Sequence, residues 1–196
     1  MIRGLSMRPG RLRAIAAATL LALLGAGPLN SSPQEISREY QIKAAFLFNF
    51  AQFVEWPATA FPNLSTPICI GILGTDPFGA ALDETVQGET IHSRPLVVTR
   101  SKQVEDLKSC QLVFISESER ERVGDVLAAL DLQSVLTVSD IDRFAERGGV
   151  IRFFVQGNRV RFEINPASAR REGLKISSQL LALGRIVEPG PTPAGR

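Results

Sequence analysis

The sequence predicts an α/β domain with three layers: a mostly parallel sheet, helices on both of its faces, and a C-terminal antiparallel hairpin. Short apolar runs alternate with helical patterns along residues 39–149, and the connections between them are short. The first run, ICIGIL at residues 68–73, is apolar throughout, which is typical of a parallel strand covered on both faces. Two alternating strands follow at residues 150–164. The alternation of strand and helix predicts the parallel sheet, and the final strand pair predicts the hairpin.

The first element is a helix predicted over residues 39–57, which holds the only tyrosine and the only tryptophan of the chain. Apolar side chains recur there at three- and four-residue steps, and phenylalanines form a second stripe beside them. Two stripes indicate burial on more than one side, with a narrow exposed strip that includes Lys43. Pro57 ends the helix, because a residue before proline is displaced from the α region.

The parallel strands are predicted at residues 68–73, 95–99, 111–115 and 134–138. Helices are predicted in the connections. The first of these starts at Asp76 and Pro77 and ends near Gly88.

A short helical piece covers residues 103–107, and Ser116 and Glu119 have the spacing of a capping box before the next helix. Ser139 is predicted to cap a further helix, which contains Ile141 and Phe144 and ends at the glycines that follow. These helices complete the alternation with the strands.

The hairpin is predicted from strands at residues 150–155 and 159–164, joined by Gln156-Gly157-Asn158. In the second strand one set of alternate residues is apolar and the other set is polar. We expect the polar set to be exposed on an edge that the protein must protect or use. The candidate partner-binding residues are Ile151, Arg161, Glu163 and Asn165. Asn165 also caps a short helix, and a last helix at residues 177–184 packs its leucines inward.

The chain opens with the features of a secretory signal peptide, predicted at residues 1–27. Arginines precede an apolar run of about eleven residues, which is too short to span a bilayer. We therefore expect the mature protein to be soluble and outside the cytoplasm. This segment holds four arginines and no acidic residue, so its removal lowers the formal net charge from +2 to about −2, which disfavours nucleic-acid binding. A polar lead at residues 28–38 and a loose tail at residues 188–196 flank the domain predicted at residues 39–187.

The two cysteines, Cys69 and Cys110, are each placed on a predicted strand. If the sheet has the flavodoxin-like strand order, the first and third strands are neighbours and the two cysteines come close. A bridge would close a loop of about 42 residues and stabilise the fold by about 4 kcal/mol in the chain-entropy model. Two buried free thiols, acting as small hydrophobic side chains, are the alternative.

The residues predict no catalytic, cofactor or metal site, and hence no enzyme. Gly71, Gly74 and Gly79 surround a strand-to-helix turn, but their spacing matches neither the dinucleotide fingerprint nor the P-loop. His92 is the only histidine, and no G-x-S-x-G elbow is present. One histidine with two separated cysteines gives no metal-ligand spacing, and C-x-x-C is absent.

Several ordered motifs together resemble the YfiR family of exported bacterial proteins. They are AAFLFNFAQFVEWP at residues 44–57, ICIGILGTDPFG at residues 68–79, CQLVFIS at residues 110–116, VLTVSD at residues 135–140, RFEIN at residues 161–165 and GLKISSQLL at residues 173–181. The resemblance implies that Cys69 and Cys110 form the family's structural disulfide. Members that carry a second cysteine pair have it near the penultimate strand, where this chain has none.

The resemblance also implies a function. Family members are similar to periplasmic regulators that bind the periplasmic sensor domain of an inner-membrane diguanylate cyclase and hold that enzyme inactive. An outer-membrane lipoprotein relieves the inhibition, so the output is the level of cyclic-di-GMP. The sequence does not decide whether this protein forms a homodimer. The alternative is a periplasmic sensor or input domain that binds a small ligand at the carboxyl ends of the parallel strands, near residues 74–78 or Ser116.

Overall fold

The computed structural model describes the backbone of residues 33–188 and the side chains of residues 38–188. The predicted signal peptide, the first part of the polar lead, and all of the predicted tail except Glu188 lie outside the described residues. Among the residues described, no helix is both long enough and apolar enough to cross a membrane.

The helices and strands follow the predicted alternation as far as β6. The helices are α1 (Pro33–Phe53), α2 (Ala80–Val86), α3 (Val123–Leu130), α4 (Pro166–Arg171) and α5 (Ser178–Leu183), with short 3₁₀ helices at Ala58–Ala60, Val104–Leu107 and Glu117–Arg122. The strands are β1 (Val54–Glu55), β2 (Ile68–Leu73), β3 (Thr90–Ile91), β4 (Arg94–Ser101), β5 (Leu112–Ile115), β6 (Leu136–Ser139), β7 (Ile151–Gln156), β8 (Arg159–Ile164), β9 (Lys175–Ile176) and β10 (Arg185–Ile186).

The main sheet has the strand order β10-β8-β7-β6-β5-β2-β4-β3. The pairs from β4 through β7 are parallel, and β7 pairs with β8 as an antiparallel hairpin. The five parallel strands therefore have the flavodoxin-like order, in which the first and third strands of the chain are neighbours. The predicted fold class, a mostly parallel α/β sheet with a C-terminal antiparallel pair, is confirmed.

Two apolar cores cover the two faces of the sheet. The larger core lies beneath α1, where Leu47 and Phe50 are fully buried. Phe50 packs against Phe153 and Phe162, with ring centroids 5.5 Å and 5.1 Å apart, and such aromatic pairs contribute about 0.5–1.5 kcal/mol beyond their buried area. The second core lies on the opposite face beneath α3. The predicted two-sided burial of the first helix follows from this aromatic cluster.

Both ends of α1 differ from the prediction. The helix begins at Pro33, ahead of the predicted start at Glu39, and ends at Phe53. Val54 and Glu55 leave the helix because they pair as β1 with β9 in a small antiparallel sheet, which local sequence does not reveal. Trp56 is fixed beyond that strand, where its indole Nε1 donates to the carbonyl of Gln111 at 3.0 Å.

The prediction of a helix after Ser139 is wrong, because residues 141–148 form turns and bends. The Ser139 hydroxyl accepts from the amide of Ile141 at 3.0 Å, as a cap does, but it also donates to the carbonyl of Ile115 at 2.7 Å. Arg143 has a φ of 57°, which interrupts any helix. Phe144 instead packs on Gly149, where an added Cβ would overlap the ring.

The hairpin turn forms at the predicted residues. The strand that follows it, β8, is not a complete edge strand as predicted. Gly157 and Asn158 have φ values of 56° and 57°, the left-handed pair that a type I′ turn requires. β8 was expected to lie at the edge of the sheet. The short strand β10 pairs beside its last two residues, Glu163 and Ile164.

Candidate functional site

The hairpin of β7 and β8 has one face in the core and one outer face. Ile151, Phe153, Phe162 and Ile164 belong to the core beneath α1. The core beneath α3, on the opposite side of the sheet, includes no residue of either strand. Arg152 on the outer face contacts the turn at Ile141. No helix of the described part of the chain packs on this face.

Arginine side chains dominate this outer face. We call it the arginine face and define it as Arg152, Phe154, Arg159, Arg161 and Arg185. Strand pairing brings these residues together, since Phe154 lies opposite Arg161. Arg152 and Arg185 lie opposite Glu163 from its two sides.

Glu163 lies beneath the arginine face and is only 1% exposed. Its Oε1 accepts from Arg152 Nη1 at 3.3 Å, and its Oε2 accepts from Arg185 Nε at 3.1 Å. The Arg185 guanidinium also lies 4.6 Å from the centroid of the Phe154 ring, within the range of a cation–π contact. A carboxylate and an aromatic ring therefore fix Arg185, whose side chain is still 59% exposed.

Arg159 and Arg161 complete the arginine face on the hairpin itself. Both are exposed, and neither forms an ion pair or side-chain hydrogen bond with any residue that the structure describes. Alternate residues of a strand lie on one side of it, so Arg159, Arg161 and Glu163 form one row. The first two arginines of this row are free to contact another molecule.

The expected exposure of the candidate partner-binding residues is wrong for all but Arg161. Ile151 and Asn165 are 0% exposed and Glu163 is 1% exposed. Ile151 belongs to the α1 core, and Glu163 is enclosed by two arginines. Asn165 donates to the carbonyl of Ala145 at 2.8 Å and accepts from the amide of Ser168 at 3.0 Å, which makes it a buried helix cap.

A cavity of about 390 Å³ lies at the carboxyl ends of β6 and β7, against the first turns of α1. It forms because β7 is longer than its neighbour. Pairing between the two strands stops at Arg152, and the chain turns away from the sheet at Asp140. Tyr40, Lys43 and Glu117 line the remaining sides.

A buried lysine lies in the wall of this cavity. Lys43 is 2% exposed, and its ammonium lies 2.7 Å from Asp140 Oδ2 and 2.6 Å from Glu39 Oε1. The Tyr40 hydroxyl donates to the same Asp140 Oδ2 at 2.7 Å. The other oxygen, Oδ1, is buried and has no hydrogen-bond partner among the described residues. Burial, and then the hydrogen bond to the Asp140 carboxylate, raise the pKa of Tyr40 well above its ordinary value, so the phenol keeps its proton.

The sequence placed Lys43 on an exposed strip of the helix, and this expectation is wrong. Glu39 lies four residues earlier, at the spacing of a helical ion pair, and was the available local signal. Asp140 is 97 residues away in sequence, so only the topology brings the two together.

The crevice at the topological switch point, between the carboxyl ends of β2 and β5, is filled by the protein's own side chains. The Ser118 hydroxyl accepts from the amide of Thr75 at 3.0 Å and lies 2.8 Å from the Ser116 hydroxyl. Glu119 is only 6% exposed and pairs with Arg122. A Cβ at Gly74 would lie 2.5 Å from the Glu119 carboxylate. Residues 74–78 and Ser116 do not themselves line the described cavity, but Glu117, the residue after Ser116, does, so a ligand site near Ser116 stays a prediction.

Cys69 and Cys110 form a disulfide, with their Cα atoms 4.5 Å apart. β2 and β5 are neighbours, as the flavodoxin-like order requires, and the Gln111 amide follows Cys110 and donates to the carbonyl of Cys69 at 3.1 Å. The alternative of two free thiols does not apply to this structure. In the described residues no group of three or more histidine, cysteine, aspartate or glutamate side chains is placed to hold a metal ion.

Comparison with known proteins gives two results. A crystal structure of a conserved domain protein from Vibrio cholerae O1 biovar eltor is similar, with 12% identity and a TM-score of 0.49. The similarity covers 73% of this chain and 59% of that one, so this chain spans less than two thirds of that protein's length. No curated protein matches. The profile of the YfiR/HmsC-like family matches residues 40–185, from within α1 to the first residue of β10. The chain belongs to the YfiR/HmsC-like family.

Proposed function

We propose that this protein is a non-catalytic periplasmic regulator that binds the periplasmic sensor domain of an inner-membrane diguanylate cyclase and holds the enzyme inactive. The observation that carries the proposal is the family match, which extends over the whole described sheet. Membership implies a periplasmic regulator of cyclic-di-GMP signalling. The arginine face adds a surface on which a partner can be recognised.

Inhibition of this kind needs binding energy and no bond-making. A stable interface usually buries about 1,200–2,000 Å² in total, and its energy is concentrated in a few aromatic and arginine residues. Phe154 and the exposed arginines around it have the composition of such an anchor. We propose that an outer-membrane lipoprotein relieves the inhibition by competing for this protein.

The proposal is tested in the native host by deleting the gene and measuring cyclic-di-GMP. We expect the level to rise and to return when the gene is restored. Crosslinking on intact cells, followed by mass spectrometry of the membrane fraction, should recover a diguanylate cyclase. An unchanged cyclic-di-GMP level in the deletion strain would reject the proposal.

The cavity beside Lys43 favours a second candidate function, that of a periplasmic sensor for a small ligand. Its volume of about 390 Å³ lies in the range of small-molecule sites. A thermal-shift screen of metabolites against the purified protein tests this function. A large, saturable shift that Glu117→Gln, a change at an exposed residue of the cavity lining, removes, with no cyclase recovered by crosslinking, would favour the sensor over the regulator.

A further inference from the structure

We infer that the arginine face receives an extended segment of a partner protein that carries carboxylates at alternate positions. This deepens the proposed function, on which it rests for the identity of the partner. The segment would lie along β8, with one carboxylate on Arg159, the next on Arg161 and a third near Arg185. Four steps lead to this inference.

The first step is the spacing of the cations. Arg159 and Arg161 occupy alternate positions of β8, so their Cα atoms are about 6.6–6.8 Å apart on the same side of the strand. An extended chain with an acid at every second position repeats at the same distance. A helix matches this distance less well, because acids on one of its faces are three or four residues apart and so rise only about 4.5–6 Å along the axis.

The second step is the charge of the surface. Among the described residues, the acids that pair with these arginines are Glu163, which is buried beneath two of them, and Asp142, which pairs with Arg152. Four arginines therefore meet two carboxylates within the described residues. A partner that brings carboxylates is attracted by this excess positive charge. Arginine can bind each carboxylate through two parallel hydrogen bonds.

The third step is the rigidity of Arg185. Its Nε and Nη2 atoms are both directed to Glu163 Oε2, and Phe154 lies under the guanidinium plane. The Nη1 side of the fork stays unused, and the side chain is 59% exposed. Because the Arg185 guanidinium is already held in place, binding a carboxylate costs less arginine side-chain entropy than it would at a mobile arginine.

The fourth step is the free strand edge. β10 pairs only with Glu163 and Ile164, and Gly184 just before it lies against Phe162, so residues 159–161 have no paired strand on the side away from β7 in the described chain. The outward backbone amides and carbonyls of these residues can pair with an added strand. Main-chain hydrogen bonds then fix the register, and the arginines select for acidic side chains.

The probe is a short, fluorescently labelled synthetic peptide that alternates glutamate with threonine, and binding is measured by anisotropy at low salt. We expect saturable binding that weakens as salt is added. The double variant Arg159→Glu/Arg161→Glu should bind about tenfold more weakly or worse, because like charges now face each other. The neutral variant Arg159→Gln/Arg161→Gln should lie between it and the wild type. Circular dichroism checks that each variant is folded.

The matched control is Arg170→Glu/Lys175→Glu, which reverses two exposed charges on α4 and β9. This control should bind the peptide like the wild type. A second peptide of the same composition, with its glutamates in one block, should bind more weakly than the alternating peptide. No binding, equal binding of both peptides, or equal binding by the Arg159→Glu/Arg161→Glu variant would overturn the inference.

Vesicles that contain phosphatidylglycerol separate an acidic protein segment from a lipid surface. If the protein sediments with these vesicles through Arg159 and Arg161 while the peptide fails to bind, the arginine face contacts membrane and the inference is wrong. The failure of the proposed function has a different signature. In that case the peptide binds as expected, but deletion of the gene leaves cyclic-di-GMP unchanged.

Discussion

Removing the disulfide should lower the free energy of unfolding by about 4 kcal/mol, according to the chain-entropy model. Cys69 and Cys110 are 41 residues apart in sequence, and the bridge between them restricts the unfolded chain over that loop. For a domain of this size, a loss of about 4 kcal/mol corresponds to a fall in Tm of about 8–16 °C. Urea denaturation of the oxidised and the reduced protein, followed by circular dichroism, measures the difference directly.

The replacement of the cysteines separates loop closure from packing. Cys110 is 3% exposed, so Cys110→Ala also removes buried sulfur contacts, whereas reduction leaves both sulfurs in place. Each single variant should lose nearly the full stabilisation, because either one abolishes the bridge. The double variant Cys69→Ala/Cys110→Ala should lose little more than a single one. Additive losses from the two single variants, or a reduced protein with an unchanged denaturation midpoint, would refute the loop-closure reasoning.

Three further predictions follow from buried groups. Lys43→Ala leaves the partly buried Asp140 carboxylate without its cation and should cost about 3 kcal/mol of stability in denaturant titrations, part of which Asp140→Asn should restore. Gly149→Ala should cost about 1–3 kcal/mol, because its Cβ would overlap the ring of the buried Phe144, whereas Gly124→Ala, which meets no atom within 4 Å, should not destabilise the protein. Burial raises the pKa of Glu172, so the folded state holds that proton more tightly, and stability should fall as pH rises from the unfolded-state pKa through the folded one. Glu172→Gln should flatten this part of the profile, which urea titrations between about pH 4 and 7 would show.

Much of the fold follows from local patterns in the sequence. The run at residues 68–73 is apolar on both faces because the strand has a helix layer on each side, and the same pattern identifies β5. The type I′ turn is specified by Gly157 and Asn158, which tolerate a positive φ. The caps at Asn165 and Ser177 are also local, since each side chain accepts from an amide three residues later.

The candidate site was only partly predictable, because its geometry depends on distant segments. The alternation in β8 correctly separates two faces, but exposure of the polar face depends on β10, which is two residues long and carries no strand signal. Arg185 on that strand encloses Glu163, a contact between residues 22 apart. The burial of Lys43 likewise requires Asp140, which the topology supplies from the end of β6.

The filled switch-point crevice has a consequence for protein engineering. Ser118 and Glu119 occupy the space in which flavodoxin-like domains hold a cofactor, and Gly74 leaves room for them. Truncating these two side chains would empty a site that the topology already frames with parallel strands. A binding site for a chosen small molecule can therefore be designed in this crevice of the disulfide-bonded domain without altering the hairpin surface.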